Sequence, residues 1–215
     1  MRTRFHEELE QLTGMLEQMC LRDETAIAAA TRALLHSDIE EAEQAIDLCA
    51  HVEAMGRDAE ESAVMLLALQ APVASELRRV VTALQLSANL ARMGGLCAHI
   101  AGLVRRRHPD PVMPDPLRDT VARMGASAVS MAGSAARVLA TGDAEAAAAL
   151  EGHDDVMDQL HRDLLNYLLG SEYTGGTTTA VDLALLGRYY ERFADHTVEV
   201  GRRTLFMTTG ISEPE

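Results

Sequence analysis

Four of the nine residues from His108 to Pro116 are prolines, and no other stretch of the chain opposes helix formation as strongly. Proline lacks the backbone N–H of a helical hydrogen bond and its ring clashes with the preceding turn, so no helix is expected to continue through this segment. The 215-residue chain is thereby divided into two parts of similar length. We predict a first half over residues 1–108, a linker over 109–116 and a second half over 117–215.

The first half shows the spacing of three helices. Apolar residues recur three or four positions apart, as one face of a helix requires, at Leu9, Leu12, Leu16, Met19, Ile27, Ala30 and Leu34. Asp38 follows this first helix and is predicted to cap a second helix that runs to about Gln70. Pro72 is expected in the first turn of a third helix that reaches Arg107.

The second half repeats the pattern. A helix over about 117–140 is followed by Asp143, which is predicted to cap a fifth helix ending near Gly170. Residues 171–178 are rich in Gly and Thr and should form a loop before a sixth helix that runs to about Thr208. The prediction is an all-α protein of two tandem three-helix bundles.

An internal repeat supports this division. A shift of one hundred positions pairs similar residues of the third and sixth helices: Leu86 with Leu186, Arg92 with Arg192, Met93 with Phe193, Gly94 with Ala194, and Ile100 with Val200. In that register Ala91 corresponds to Glu191 and Gly95 corresponds to Asp195. The two helices are therefore predicted copies, of which only the second carries an acidic pair.

The charge of the chain limits its partners. Asp and Glu number 33 against 19 Lys and Arg, which leaves a formal net charge of −14. A strongly negative surface repels nucleic acid and anionic membranes, so neither is an expected partner. The basic residues 105–108 are interpreted as cations at the end of the third helix.

The cysteines and the apolar runs indicate a cytoplasmic protein. Cys20, Cys49 and Cys97 are far apart in sequence and show neither a disulfide framework nor a zinc-binding spacing. The N-terminal residues lack the apolar core of a signal peptide. The longest apolar run, residues 63–72, is too short for a membrane span. We expect a soluble protein without membrane insertion.

Glu191 and Asp195 are the strongest chemical signal in the chain. Four residues apart in a helix, they lie on one face, about 40° from each other. That face also carries the apolar residues Ala184, Val198 and Leu205, while the nearby basic residues fall on a flank. Carboxylates beside apolar positions need partners, which are either cations from a neighbouring helix or a metal.

The fifth helix offers matching acids. Asp154 and Asp158 are again four residues apart, and His161 follows on the same side of the helix. If the fifth and sixth helices pack antiparallel, the two carboxylate pairs face each other. Oxygen ligands suit hard cations such as iron, manganese or magnesium, with His161 as a further candidate ligand.

Other interpretations of these residues remain open. Glu191 and Asp195 could form surface ion pairs with Arg188, Arg192 or Arg162. Acids early in a helix are also favoured by the helix dipole without any ligand, and His161 could be an ordinary surface residue. Asp158 and His161 resemble half of a di-iron motif, but a full site needs a second such motif, and the sequence shows only one.

Two segments resemble signatures of the PhoU family of bacterial phosphate-transport regulators, in particular its actinobacterial branch. The stretch from Pro72 to Arg78, which includes Glu76, is similar to the family's Pro-x-Ala-x-Asp-Leu-Arg signature. The stretch from Glu191 to His196, which includes Arg192, is similar to its Glu-Arg-x-x-Asp-His signature. The resemblance covers nearly the whole chain.

The resemblance implies two side-by-side three-helix bundles and a non-enzymatic role. It implies that the protein restrains the ATPase of a phosphate ABC transporter and a phosphate-sensing histidine kinase, and we expect a homodimer. The family's acidic motif binds a metal cluster, and its positions match Glu191, Asp195, Asp154 and Asp158. In the first half Ala91 and Gly95 replace the acids of the third helix.

The sequence therefore predicts a negative regulator of phosphate uptake and of the phosphate-starvation response, with a carboxylate metal site in the second half. One alternative is a carboxylate-bridged metalloenzyme of the di-iron type. The other is a metal-free helical adaptor.

Overall fold

The computed structural model describes residues 2–211, with side chains described from Arg4 onward. Within that range the chain forms six α-helices, one short 3-10 helix (Asp115–Leu117) and no β-strand. The α-helices, named α1 to α6, are Arg2–His36, Ile39–Gln70, Ala74–Arg107, Arg118–Thr141, Ala144–Leu169 and Thr177–Thr209. The all-α prediction is confirmed. Residue 1 and residues 212–215 of the predicted halves lie outside the described range.

The helix starts follow local side-chain chemistry. Asp38 caps α2 by accepting a hydrogen bond from the Glu41 backbone N–H at 3.0 Å. Asp143 caps α5 by accepting from the backbone N–H groups of Glu145 and Ala146 at 2.9 and 3.2 Å. Both caps satisfy N–H groups that a helix leaves unpaired at its start, so these two predictions are confirmed.

The start of α3 differs from the prediction. Pro72 lies before the helix rather than in its first turn, because α3 begins at Ala74 with Val73 as its N-cap. The chain leaves α2 through Ala71, which has a left-handed φ of 44°. A residue before proline is disfavoured in the right-handed helical region, so the reversal occupies residues 71–73 before a new helix begins.

The predicted apolar stripe of α1 forms the centre of the first bundle. Leu9, Leu12, Leu16, Met19, Ile27, Ala30 and Leu34 are all buried. This stripe packs on α2 and α3, and α1 also contacts α4 of the second half. Because α1 touches both halves, the buried residues join into one hydrophobic core.

Two antiparallel helix pairs connect the halves. On α1 and α4, the buried Thr31 lies against Gly125, where an added Cβ would be 2.2 Å from the Thr31 Cγ2. On α3 and α6, Asn89 bonds to His196, and Arg107 forms an ion pair with Asp182 at 2.7 Å. In the α3 and α6 pair, residues later in one helix contact residues earlier in the other, which shows that these helices run in opposite directions.

The proline-rich connection is ordered by burial. It contains no α-helix, as predicted, but Val112 and Met113 are only 1% and 5% exposed. By contrast, almost every residue of the second long loop, 171–176, is exposed. Prolines therefore end the helix, while two apolar side chains anchor the linker to the core.

Candidate carboxylate site in the second bundle

The acidic pair of α6 lies at the boundary between core and solvent. The Glu191 side chain is 12% exposed, whereas that of Asp195, one turn later, is 45% exposed. Val198 is buried on the same side, as the helical wheel predicts. Glu191 therefore lies at the interface of α5 and α6, and Asp195 lies closer to the surface.

Two glycines of α6 allow α5 to approach closely around this pair. A Cβ on Gly187 would lie 2.7 Å from the Leu164 Cδ2 and 2.9 Å from the His161 Cδ2. A Cβ on Gly201 would lie 3.0 Å from the Leu150 Cδ1. Because the later glycine faces the earlier part of α5, the two helices are antiparallel, as the site prediction required.

Asp154 of α5 is the electrostatic centre of the site. Burial is the largest effect raising its pKa, to about 6, and the charges of Asp195, Asp158, Glu191 and Asp155 raise it further. An acid responds to another acid in this way only when the two are close. The structure therefore brings together the four predicted residues, Asp154, Asp158, Glu191 and Asp195, which we call the carboxylate cluster.

The two acids of α6 respond in the same direction. Burial raises the pKa of Glu191, and Asp195 raises it further, while Arg188 lowers it. Burial also raises the pKa of Asp195, against the opposing effect of Arg192. Each carboxylate is thus held in a site that disfavours its charge.

Arginines neutralise part of this charge. Arg188 forms an ion pair with Glu191, Arg192 lies 3.8 Å from Asp195, and Arg162 lies 3.6 Å from Asp158. The pairs of Glu191 and Asp195 are among those that the sequence allowed as an alternative to a metal, whereas the pair of Asp158 with Arg162 was not predicted. They account for three of the four acids and leave Asp154 without an arginine among the described ion pairs.

Two oxygen atoms in the carboxylate cluster remain without hydrogen-bond partners. They are the Asp154 Oδ1 and the Glu191 Oε2, which are buried and belong to different helices. A buried hydrogen-bond acceptor without a donor lowers the stability of the folded protein. Carboxylate oxygens are good ligands for hard cations, so a bound cation would satisfy both atoms. In donor chemistry the cluster therefore fits a metal such as magnesium, manganese or iron.

In this structure the acids of the carboxylate cluster are arranged for ion pairs with arginines. Within residues 2–211, no group of three or more His, Cys, Asp or Glu side chains is already positioned around a metal-binding point. Metal binding at the carboxylate cluster would require acid side chains to turn from their arginines towards the two unpartnered oxygens.

His161 lies at the edge of the carboxylate cluster. Its ring is next to Gly187, and burial lowers its pKa, with Arg188 adding to the effect and Asp158 opposing it. A lowered pKa keeps the imidazole neutral near pH 7, which is the form that binds metals. His161 therefore remains a candidate additional ligand.

The other signature residues occupy two separate places. His196 turns away from the acids and bonds through Nδ1 to the Asn89 Oδ1 of α3 at 2.5 Å, beside the exposed Arg192. At the far end of the bundles, Arg78 stacks over Phe206, 5.9 Å from the ring centroid, and reaches the end of α6. Its cation suits the negative end of that helix dipole.

Pro72 and Glu76 lie near Arg78. Pro72 forms part of the connection between α2 and α3, and Glu76 lies in the first turn of α3, 3.9 Å from the His6 imidazole. The signature residues of this end therefore shape the start of α3.

The first bundle lacks the acid pairs and contains a different buried acid. Asp23 of α1 is fully buried, both of its oxygens lack hydrogen-bond partners, and burial followed by the nearby Cys49 raises its pKa. Burial also raises the pKa of Cys97, which hydrogen-bonds with Cys49. Asp23 was not predicted as a site residue. Its position between Met19 and Ile27 in the apolar stripe of α1 does, however, indicate a buried acid.

Comparison with known proteins places the chain in a family. The PhoU domain model matches residues 16–104 and 121–204, one match in each half. The phosphate-specific transport system accessory protein PhoU homolog 1 of Mycobacterium tuberculosis is 46% identical over 215 residues, covering 100% of this chain and 97% of the relative. Homolog 2 of the same species is 46% identical over 210 residues, covering 98% and 99%.

Solved structures agree in fold. The crystal structure of the phosphate transport system regulatory protein PhoU from Streptococcus pneumoniae matches with a TM-score of 0.86 at 23% identity, covering 98% of this chain and 100% of that chain. PhoU from Pseudomonas aeruginosa matches with a TM-score of 0.84 at 23% identity, covering 96% and 100%. No described helix is long and apolar enough to cross a membrane. With both repeats matched and two relatives at 46% identity over almost their full length, the chain belongs to the PhoU family.

Proposed function

We propose that this protein is a negative regulator of phosphate uptake and of the phosphate-starvation response that acts by protein contact rather than by catalysis. The observation that carries the proposal is the full-length similarity to accessory proteins of phosphate-specific transport systems. Its partners are the ATPase of a phosphate ABC transporter and a phosphate-sensing histidine kinase. The protein works in the cytoplasm as a homodimer.

The surface suits contacts with other proteins. Leu69 and Val73, at the connection between α2 and α3, are each 70% exposed. They flank Pro72 of the family signature, and exposed apolar side chains next to one another favour protein association. These features support a binding role for this end of the molecule.

The carboxylate cluster is the proposed metal site. Asp154 and Glu191 offer the two unpartnered oxygens, Asp158 and Asp195 offer further carboxylates, and His161 offers a nitrogen. A bound iron, manganese or magnesium ion would supply positive charge that offsets the mutual repulsion of the acids and ties α5 to α6. Its role here is structural.

A metal-free adaptor is the second candidate, because arginines already pair with three of the four acids. In that case the partners stay the same, and the acids serve as ion-pair residues of α5 and α6.

Deletion of the gene tests the regulatory role. Without the inhibitory contact, phosphate uptake and phosphate-starvation genes should remain active in phosphate-rich medium, and a plasmid copy should restore repression. Reporter expression and phosphate uptake measure the outcome. Normal repression in a strain that contains no second copy would contradict the proposal.

A pull-down from phosphate-replete cells tests the partners. Tagged protein should recover the transporter ATPase or the sensor kinase, and a Leu69→Glu plus Val73→Glu variant should recover less. Leu169→Glu, at a leucine that is 86% exposed elsewhere on the surface, is the matched control. Recovery of neither partner by the wild-type protein would contradict the contact model.

A further inference from the structure

The position equivalent to the carboxylate cluster is a cleft in the first bundle. By the internal repeat, Ala91 and Gly95 of α3 stand where Glu191 and Asp195 stand in α6. Both small residues line a cleft of about 600 Å³, together with Cys49 of α2. We call this space the first-bundle cleft. With Ala91 and Gly95 at these two positions, the cleft has room for a ligand of small-molecule size.

Four nitrogen-bearing side chains line the first-bundle cleft. Arg92 and His99 come from α3, while Arg192 and His196 come from α6. Both arginines lie close enough to His196 that their charges lower the pKa of its imidazole. The two helices therefore each place one arginine near His196 at the first-bundle cleft.

The acids around the first-bundle cleft already have partners. Glu53 lines the cleft but lies 2.7 Å from Arg57, and Glu199, next to His196 on α6, lies 2.6 Å from Arg203. Among the described ion pairs, Arg192 is shared with Asp195 at 3.8 Å and Arg92 has no acidic partner. The cleft is therefore locally positive on a protein whose formal net charge is −14.

The hydrogen bonds of His196 define its ring nitrogens. The Asn89 Nδ2 donates to the His196 backbone oxygen at 2.9 Å, so the Asn89 Oδ1 is left to accept a proton from the His196 Nδ1 at 2.5 Å. With Nδ1 as the donor, Nε2 of the neutral ring carries the lone pair. The two bonds to Asn89 therefore hold the His196 ring between α3 and α6.

We propose that the first-bundle cleft binds a small organic molecule through its phosphoryl group. Two guanidinium groups provide the paired donors that phosphate oxygens accept, and more than one positive charge favours a multiply charged anion over a single carboxylate. The apolar walls, which include Ile46, Ala50 and Leu96, leave space for an organic body beyond the anion. The proposal does not depend on the regulatory partners, and it shares one residue with the carboxylate cluster, because Arg192 also pairs with Asp195.

Titration calorimetry tests the proposal, with ADP, pyrophosphate and inorganic phosphate as probes on chelator-treated, metal-free protein. We expect one ADP per chain, bound more tightly than inorganic phosphate. Arg92→Ala and Arg192→Ala should each weaken ADP binding about tenfold or more. Arg123→Ala, which removes an exposed arginine of α4, should change it less than about twofold and is the matched charge control.

Gly95→Asp gives a second, independent test because a Cβ at Gly95 has no atom within 4 Å, so the side chain fits. It places in the cleft the acid that α6 carries, and it should abolish ADP binding, while Gly95→Asn should retain it. Absence of ADP binding by the wild type overturns the proposal. Equal losses in Arg92→Ala and Arg123→Ala, or equal affinities for ADP and inorganic phosphate, overturn it as well.

Discussion

In the second bundle, α5 and α6 hold a cluster of four carboxylates around Asp154, whereas the equivalent surface of the first bundle is a cleft lined by Ala91, Gly95 and cations. The exposure pattern is the same over residues 91–97 and 191–197, where Arg92 and Arg192 are exposed and the next two residues of each helix are buried. A repeated helix can therefore keep its packing face while its second face changes charge. The two copies therefore share the buried residues that determine the fold, whereas the residues at the site differ between them.

The largest effect should come from removing the acids of α6. Metal in protein purified without chelators should disappear in a Glu191→Ala plus Asp195→Ala variant. It should persist in Cys49→Ala or Glu53→Ala, because these first-half residues stand where Asp154 and Asp158 stand in the second half. At a metal concentration one hundredfold above Kd, binding to the native state adds about 2.7 kcal/mol, which raises Tm by about 5–10 °C. Elemental analysis and thermal unfolding with added Mn²⁺ measure both effects.

Two results would break this part of the comparison. Metal that survives in the double variant would place the site elsewhere. A wild-type protein with no metal and no rise in Tm would favour the metal-free adaptor.

The buried acid of the first bundle provides the next test. Burial raises the folded-state pKa of Asp23 above its unfolded value, so its contribution to stability is present at low pH and is lost as the pH rises towards the folded-state pKa. Asp23→Asn cannot ionise and should therefore be more stable than the wild type at pH 7, by an amount that increases as the pH rises. Urea unfolding of metal-free protein checks this. Asp47→Asn, an exposed site on α2, should have no effect, and an unstable Asp23→Asn would contradict the expectation.

Asp154 should show a smaller pH dependence that metal can remove. Its pKa is raised to about 6, so its stabilising contribution is full below about pH 4 and is lost as the pH rises through 6. Asp154→Asn should stabilise the metal-free protein at pH 7 by about 1 kcal/mol, after allowance for solvent screening. Added Mn²⁺ should reduce the dependence of the wild-type free energy of unfolding on pH between about 4 and 6. It should leave the pH dependence that comes from Asp23 unchanged. If this pH dependence of stability persists both in Asp154→Asn and in wild-type protein with Mn²⁺, Asp154 is not its cause.

The smallest expected effect concerns two glycines. Gly95→Ala should stabilise the protein by about 0.5–1 kcal/mol, since alanine favours a helix and no atom lies within 4 Å of the added Cβ. Gly187→Ala should lose that gain, because its Cβ would be 2.7 Å from the Leu164 Cδ2. Urea midpoints of the two variants compare them. Equal gains would show that the α5 and α6 contact tolerates a methyl group.

Much of the fold could be predicted because its signals are local. The caps at Asp38 and Asp143, the proline-rich break and the apolar stripe of α1 depend on residues within a few turns of one another. The error at Pro72 was also local, since sequence periodicity does not show how many residues a chain reversal needs. Of the candidate site, the membership of the carboxylate cluster could be predicted, because i,i+4 spacing places acids on one helical face.

The sequence by itself determined six helices, their faces, the internal repeat and the presence of the acid pair in the second copy alone. Only the tertiary structure decided that the Asp154 Oδ1 and the Glu191 Oε2 remain unpartnered, while arginines pair with Asp158, Asp195 and the other oxygen of Glu191. It also decided that His196 bonds to Asn89, and that Asp23 is enclosed without a partner. Periodicity reports which residues share one helix face, whereas desolvation and charge coupling depend on the distances between helices, which only packing sets.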